Sequence, residues 1–188
     1  ATRASVLFLT LTSVLFGGLL AQRDDMFRWL PFLLCVLGLV MAHATNNLLN
    51  DFSDWRRGID NDNYYRNQYG VHVLDSGLVS QKAFWGYVFF TAALEILPGL
   101  WLVAEGGAGV LLLMALGAFF VIFYTWPLKY CGLGEPAVLL VWGPLMVGGT
   151  YYVITGQWSN PAACLGLLFA CGPTAVLFGK HIDKMDMD

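Results

Sequence analysis

The chain has 188 residues, of which 57% are hydrophobic and 12% are charged, and its net charge is −3. A soluble domain carries about 25% charged residues, so this composition excludes a surface that faces water throughout. The small net charge gives no sign of a nucleic-acid partner, and we predict an all-α integral membrane protein whose single domain covers residues 1–188.

Six stretches are apolar over the roughly 17–25 residues that a helix needs to cross a bilayer. In chain order they are residues 5–21, 30–49, 83–104, 109–126, 136–155 and 161–179. With six spans, the basic residues fall mainly on one side of the bilayer. That side holds Arg3, Arg56, Arg57, Arg66, Lys82, Lys129, Lys180 and Lys184, whereas the other side holds Arg23 and Arg28. Because basic residues concentrate in cytoplasmic loops, we predict a multi-pass protein of the cell inner membrane whose first side faces the cytoplasm.

The densest polar cluster begins inside the second predicted helix. At roughly 100° per residue, Asn47, Asn50, Asp51 and Asp54 fall within an arc of roughly 100°, and His43 continues this stripe one turn deeper. A solvated helix end explains the stripe less well than a polar cavity, because an aspartate at a helix centre costs roughly 2.5–3.5 kcal/mol. Oxygen ligands suit Mg²⁺, which shares its shell with water and substrate phosphate. The stripe therefore predicts a Mg²⁺ site with Asp51 and Asp54 as ligands.

The sixth predicted helix ends in a second polar cluster. If the helix continues, His181, Lys184 and Asp188 share one face, and Asp183 and Asp186 share another. This cluster follows an even-numbered helix, as the first one does, so both are expected at the same membrane surface. A plain charged helix end is the alternative interpretation.

A third polar segment follows the fourth predicted helix, which Pro127 is expected to end. It supplies Tyr124 and Lys129 to the same surface. Two acidic helix ends with Mg²⁺ ions would bind a diphosphate, and Lys129 and Arg66 would neutralise its remaining charge. Together the clusters favour the chemistry of a diphosphate leaving group that carries a long lipid tail.

Several motifs form a pattern that is specific in combination. They are Asn47-x-x-Asn50-Asp51-x-x-Asp54-x-x-x-Gly58-x-Asp60, Leu74-x-Ser76-Gly77-Leu78, Tyr124-Thr125, Leu128-Lys129-Tyr130-x-Gly132-Leu133-Gly134-Glu135 and Gly143-Pro144-Leu145-Met146. By these motifs the chain resembles the UbiA superfamily of intramembrane prenyltransferases. It looks most like the branch that prenylates 1,4-dihydroxy-2-naphthoate in menaquinone synthesis.

The resemblance implies a Mg²⁺-dependent enzyme that transfers a polyprenyl group from a prenyl diphosphate to an aromatic acceptor. The expected catalytic residues are Asp51, Asp54, Lys129 and Tyr124, the expected substrate-binding residues are Asn47, Asn50, Arg66, Lys184 and His181, and the expected metal ligands are Asp51, Asp54, Asp188 and Asp183. The acceptor, the prenyl chain length and the oligomeric state stay open at this point.

The sequence departs from the family pattern in two ways. Family members have nine transmembrane helices, so six spans imply a chain truncated at its C-terminus. The second acidic motif usually has an asparagine followed by two aspartates, where this chain has His181, Lys184 and Asp188. We therefore expect one metal at most on this face, held by Asp188, with Lys184 on the diphosphate. In the alternative, Asp183 or Asp186 turns inward to restore a second carboxylate.

Three other interpretations compete with this one. A CDP-alcohol phosphotransferase would carry a D-G-x-x-A-R motif, which the sequence lacks. A cation-coupled transporter would bind its ion near the midplane of the membrane, whereas these clusters end their helices at one surface. The third alternative is that the chain alone is an inactive fragment.

Overall fold

The computed structural model describes residues 4–57, 73–74, 76–128 and 131–182. Its helices are α1 (Ala4–Arg23), α2 (Trp29–Arg57), α3 (Gln81–Phe123), α4 (Gly134–Leu140), α5 (Gly149–Thr155) and α6 (Asn160–Ile182). Wider π-helical turns continue α3 through Tyr124–Leu128 and join α4 to α5 through Val141–Gly148. The prediction of an all-α membrane protein is confirmed for the described residues.

Five stretches of the described chain are long and apolar enough to cross a membrane, and the third, Gln81–Leu128, has 48 residues. As one straight helix it would extend about 72 Å, more than twice the roughly 30 Å of a bilayer core. The stretch is broken at Gly107, whose φ of 66° and ψ of −150° are reached easily only by glycine. A Cβ at Gly99 would lie 3.1 Å from Sδ of Met114, although a straight helix would separate these residues by about 22 Å. The stretch is therefore a hairpin, so the five stretches of the described residues cover the six predicted spans, with the third and fourth joined.

The second helix continues past the apolar stretch, which stops at residue 49, and ends at Arg57, so it includes the whole predicted stripe through Asp54. Its last turns are polar on one face, but they carry Phe52 on another. The ring of Phe52 contacts Trp85 at a centroid distance of 4.9 Å and Phe84 at 6.1 Å. These aromatic contacts hold the end of α2 against the start of α3, which keeps the chain helical past the apolar stretch.

The surface of α3 carries large apolar side chains. Phe89, Leu97 and Leu112 are 69%, 64% and 60% exposed. Large apolar side chains with this exposure are stable in a hydrocarbon environment and costly in water. The chain is accordingly a multi-pass membrane protein.

The sixth helix packs closely on the span Gly134–Thr155, through two glycines. A Cβ at Gly166 would lie 2.6 Å from the carbonyl oxygen of Gly143, and a Cβ at Gly143 would lie 3.0 Å from the amide nitrogen of Leu167. Small residues at such a contact let helix backbones approach one another in a membrane. This contact fixes α6 in the bundle.

One end of the bundle, which we call the Arg28 end, is formed by residues 22–28, 105–109 and 156–159. Arg28 donates from Nε to the carbonyl oxygen of Ile154 (2.6 Å) and from Nη2 to that of Val153 (3.0 Å). Asp24 accepts a hydrogen bond from the hydroxyl of Tyr151 (2.8 Å) and pairs with Arg23 at the same end. The hydrogen bonds from Arg23 and then from Tyr151 hold the pKa of the Asp24 carboxyl below its usual value. The opposite end, where α2 and α6 finish, is called the Asp51 end below.

Candidate functional site

The polar stripe of α2 lies inside the bundle. Asp51 is 3% exposed, Asn47 is 8% exposed and Asn50 is 9% exposed. All three belong to one continuous helix and lie on the same side of α2, near the Asp51 end. Buried carboxylates and amides are stable only where they are paired, hydrogen-bonded or bound to a metal. A carboxylate flanked by two amides can provide oxygen ligands to a hard cation.

The turn Tyr124–Leu128 packs against α2 at this end. Asn46 donates from Nδ2 to the carbonyl oxygen of Val121 (3.0 Å), which ties α2 to the last turn of α3. Tyr124, a predicted catalytic residue, is half-buried in this turn, so it lies on the segment that contacts α2.

Thr125 is a site candidate that the sequence prediction left out. It is 6% exposed, and its hydroxyl oxygen is buried without a hydrogen-bond partner among the described residues. A buried hydroxyl of this kind is available to bind a polar ligand. The motif Tyr124-Thr125 indicated the segment, but only the fold distinguishes the buried hydroxyl from an ordinary surface threonine.

His43 extends the stripe toward the middle of the bundle. Its Nδ1 lies 2.7 Å from the hydroxyl oxygen of Thr10, which is fully buried on α1. Its ring meets that of Trp142 edge to face, with a centroid distance of 5.2 Å. His43 thus joins α1, α2 and the span Gly134–Thr155 around the deep end of the stripe.

The remaining predicted site residues lie at the ends of helices or outside the described residues. Asp54 lies in the last turns of α2 and His181 lies at the end of α6, but the structure describes the side chain of neither. Arg66, Lys129, Asp183, Lys184, Asp186 and Asp188 lie outside the described residues. Within the described part, no three histidine, cysteine, aspartate or glutamate side chains form a metal cluster.

An open cavity of about 600 Å³ lies at the Arg28 end, among Asp25, Arg28, Glu105 and Tyr152. This is the end of the bundle opposite to the stripe. The buried donor set of Asn47, Asn50 and Asp51, rather than this cavity, marks the candidate site, because it brings polar oxygens together inside an apolar bundle.

Residues 10–188 match the model of the UbiA prenyltransferase family. The 1,4-dihydroxy-2-naphthoate octaprenyltransferase of Haemophilus influenzae is 31% identical over 99% of the chain and 63% of its own length. The enzyme of the same name from Escherichia coli is 30% identical over 99% of the chain and 62% of its own length.

A vertebrate relative is more distant. The UbiA prenyltransferase domain-containing protein 1 of Danio rerio is 27% identical over 95% of the chain and 54% of its own length. The chain thus spans somewhat more than half the length of these relatives. No solved structure matched the chain.

Proposed function

Because the chain belongs to the UbiA prenyltransferase family, we propose that the whole protein transfers a polyprenyl group from a prenyl diphosphate to an aromatic acceptor. The observation that carries this proposal is the buried stripe of Asn47, Asn50 and Asp51 at the end of an otherwise apolar helix. The names of the two bacterial relatives support 1,4-dihydroxy-2-naphthoate as the acceptor and hence a role in menaquinone biosynthesis.

The carboxylate and amide oxygens of the stripe are suitable ligands for Mg²⁺. This ion takes oxygen ligands, is held by one or two carboxylates, and leaves part of its shell to water and phosphate oxygens. Asp51, with the amide oxygens of Asn47 and Asn50 and the carboxylate of Asp54, would hold it. When bound, Mg²⁺ supplies charge stabilisation to the diphosphate oxygens.

The chain's own residues hold the two substrates in place. Lys129, Arg66 and Lys184 neutralise diphosphate charge that the metal leaves, and Tyr124 and Thr125 offer hydroxyls beside α2. The bond between the allylic carbon and the diphosphate oxygen breaks, and its electron pair leaves with the diphosphate. A ring carbon of the acceptor then bonds to the allylic carbon and loses its proton. Apolar side chains of the bundle hold the tail and exclude water, which would otherwise trap the carbocation.

Two arrangements of metal and diphosphate at the second acidic motif can be distinguished by mutation. In the one we propose, Asp188 holds at most one metal, His181 binds substrate, and Lys184 donates a charge-assisted hydrogen bond to the diphosphate. The Asp183→Asn, Asp186→Asn double variant should then retain near-normal transfer. Complete loss in that variant, with Lys184→Ala harmless, would instead assign the metal to Asp183 or Asp186.

We also propose that the site faces the cytoplasm of the cell inner membrane. The support is the excess of basic residues in segments at the Asp51 end over the two arginines at the Arg28 end. This orientation gives the site access to soluble acceptors and diphosphates made in the cytoplasm.

The proposed reaction is tested with the purified full-length protein in phospholipid vesicles. Octaprenyl diphosphate is supplied with either 1,4-dihydroxy-2-naphthoate or 4-hydroxybenzoate, and prenylated product is measured by mass spectrometry with Mg²⁺ or with EDTA. Product from the naphthoate alone, lost in EDTA, supports the proposal. Prenylation of 4-hydroxybenzoate alone would refute the acceptor, and cation uptake by the vesicles without either product would favour the transporter.

A further inference from the structure

A carboxyl group lies deep in the membrane on the side of α2 that faces away from the stripe. Glu95 belongs to the first half of α3, midway between Gln81 and the break at Gly107. A charged side chain at this depth is costly, so an intramembrane acid has a role by default. Its Oε2 atom is buried and has no hydrogen-bond partner among the described residues.

Two buried hydroxyls accompany Glu95 between α2 and α3. The hydroxyl of Thr45 on α2 donates to that of Thr91 on α3 (2.9 Å). The hydroxyl oxygen of Thr91 in turn lies 3.1 Å from the carbonyl oxygens of Tyr87 and Val88 on its own helix. The Glu95 carboxyl lies one turn along α3 from Thr91 and next to the Thr45 side chain. The three side chains therefore form one network across the helix interface.

The protons in this network can be counted. Each threonine hydroxyl has a single proton to donate. The Thr45 hydroxyl oxygen also lies 3.0 Å from the carbonyl oxygen of Met41, so its one proton has Met41, Thr91 and Glu95 as competing acceptors. An amide or a carboxylic acid at position 95 can donate as well as accept, so it relieves this competition, whereas an apolar side chain leaves the network incomplete.

The network lies opposite the site on α2. At roughly 100° per residue, Thr45 points roughly 180° away from the mean direction of Asn47, Asn50 and Asp51. Lipid provides little hydrophobic drive between helices, so interhelical hydrogen bonds contribute strongly to their orientation. Fixing Thr45 on α3 therefore turns the stripe away from α3 and into the bundle.

We propose that Thr45, Thr91 and Glu95 are positioning residues that set the rotation of α2 and thereby aim the Asn47–Asp51 stripe at the diphosphate. This inference rests on the proposed function. It predicts that weakening the network changes the binding of Mg²⁺ and prenyl diphosphate, because it moves ligands, whereas the chemical groups of the site stay intact.

The test compares Thr45→Val and Glu95→Leu with Glu95→Gln in the full-length protein. The first two should lower kcat/KM for octaprenyl diphosphate about 10-fold, which corresponds to about 1.4 kcal/mol. The loss should lie in KM and in the Mg²⁺ concentration for half-maximal rate, with kcat changed by less than about 2-fold. Glu95→Gln keeps a donor and should stay within about 2-fold of the wild type.

Two controls make the result specific. Thr12→Val removes a hydroxyl whose one hydrogen bond within the described residues goes to the carbonyl oxygen of Phe8 on its own helix, and it should leave KM and the Mg²⁺ dependence unchanged. Thr45→Ser keeps the hydroxyl and should restore binding, which decides the question even if Glu95→Leu fails to fold. Combining Thr45→Val with Glu95→Leu should cost about as much as either one alone, because both break one network.

The outcomes separate the two proposals. A wild-type protein that forms no prenylated product refutes the proposed function. An active wild type whose Thr45→Val and Glu95→Leu variants keep normal KM and Mg²⁺ dependence refutes the positioning role. Loss of activity in Glu95→Gln equal to that in Glu95→Leu also overturns it, because the carboxylate itself would then be required.

Discussion

Replacing Gly166 with alanine puts a methyl group into the backbone contact between α6 and the span Gly134–Thr155. The new Cβ would lie 2.6 Å from the carbonyl oxygen and 2.8 Å from the carbonyl carbon of Gly143. Carbon atoms do not approach backbone this closely, and backbone atoms cannot rotate away as a side chain can. The two helices must separate, and overpacking of this kind costs about 1–3 kcal/mol.

Gly172→Ala is the matched control on the same helix, because a Cβ at Gly172 meets nothing within 4 Å. Both substitutions carry a similar gain in helix propensity of about 0.8–1.0 kcal/mol, so their difference isolates the contact. Gly166→Ala should be about 1–3 kcal/mol less stable than Gly172→Ala. The free energy of unfolding is measured by titration with SDS in mixed micelles, followed by circular dichroism. Equal stability of the two variants would refute the packing described for α6.

Three further predictions concern the charged residues and the topology that their distribution implies. The pKa of Asp24 is lower in the folded protein, beside Arg23, than the value of about 3.9 in the unfolded chain, so the ionised carboxylate stabilises the fold above about pH 3.9. This contribution is lost as the pH falls through the lower pKa of the folded state. Asp24→Asn should therefore remove this acid dependence of the unfolding midpoint. Single cysteines in a cysteine-free background should be labelled from the cytoplasm at Ser76 and from outside at Gln157; labelling of Ser76 only from outside would overturn the topology. Lys129→Ala should lower kcat/KM for the prenyl diphosphate about 10²-fold, which corresponds to about 2.7 kcal/mol, and Lys129→Arg should keep part of the activity. An unchanged rate in Lys129→Ala would mean that Lys129 contributes only to the topology.

The transmembrane spans were predictable because a helix that crosses a membrane requires a long apolar stretch of sequence. The break at Gly107 fell between the third and fourth predicted spans, since Glu105 and neighbouring glycines interrupt the hydrophobic run. The spacing of the stripe already implied helix as far as Asp54, but the contact that holds these last turns of α2 in place is tertiary. Phe52 packs on the first turn of α3, and a contact between distant segments leaves no periodic signal in the sequence.

The stripe Asn47–Asp51 was also predictable, since helical spacing alone puts these residues on one side of α2. Its burial agrees with that prediction, whereas its role as a metal site stays a prediction. Thr45 and Glu95 were not found from the sequence. Their significance comes from the meeting of α2 and α3, and neither residue type indicates its partner on another helix.

The central claim is that the Asp51 stripe binds metal and diphosphate for prenyl transfer. It is tested most directly by measuring Mg²⁺-dependent product formation in the full-length protein with Asp51→Asn, against Asp25→Asn as the control. Asp25 is an exposed carboxylate at the Arg28 end, so both variants remove one negative charge. We predict that Asp51→Asn lowers the rate at least about 10²-fold, or about 2.7 kcal/mol, while the folded protein and the Asp25→Asn rate stay as in the wild type. A rate for Asp51→Asn equal to that of the wild type would contradict the account.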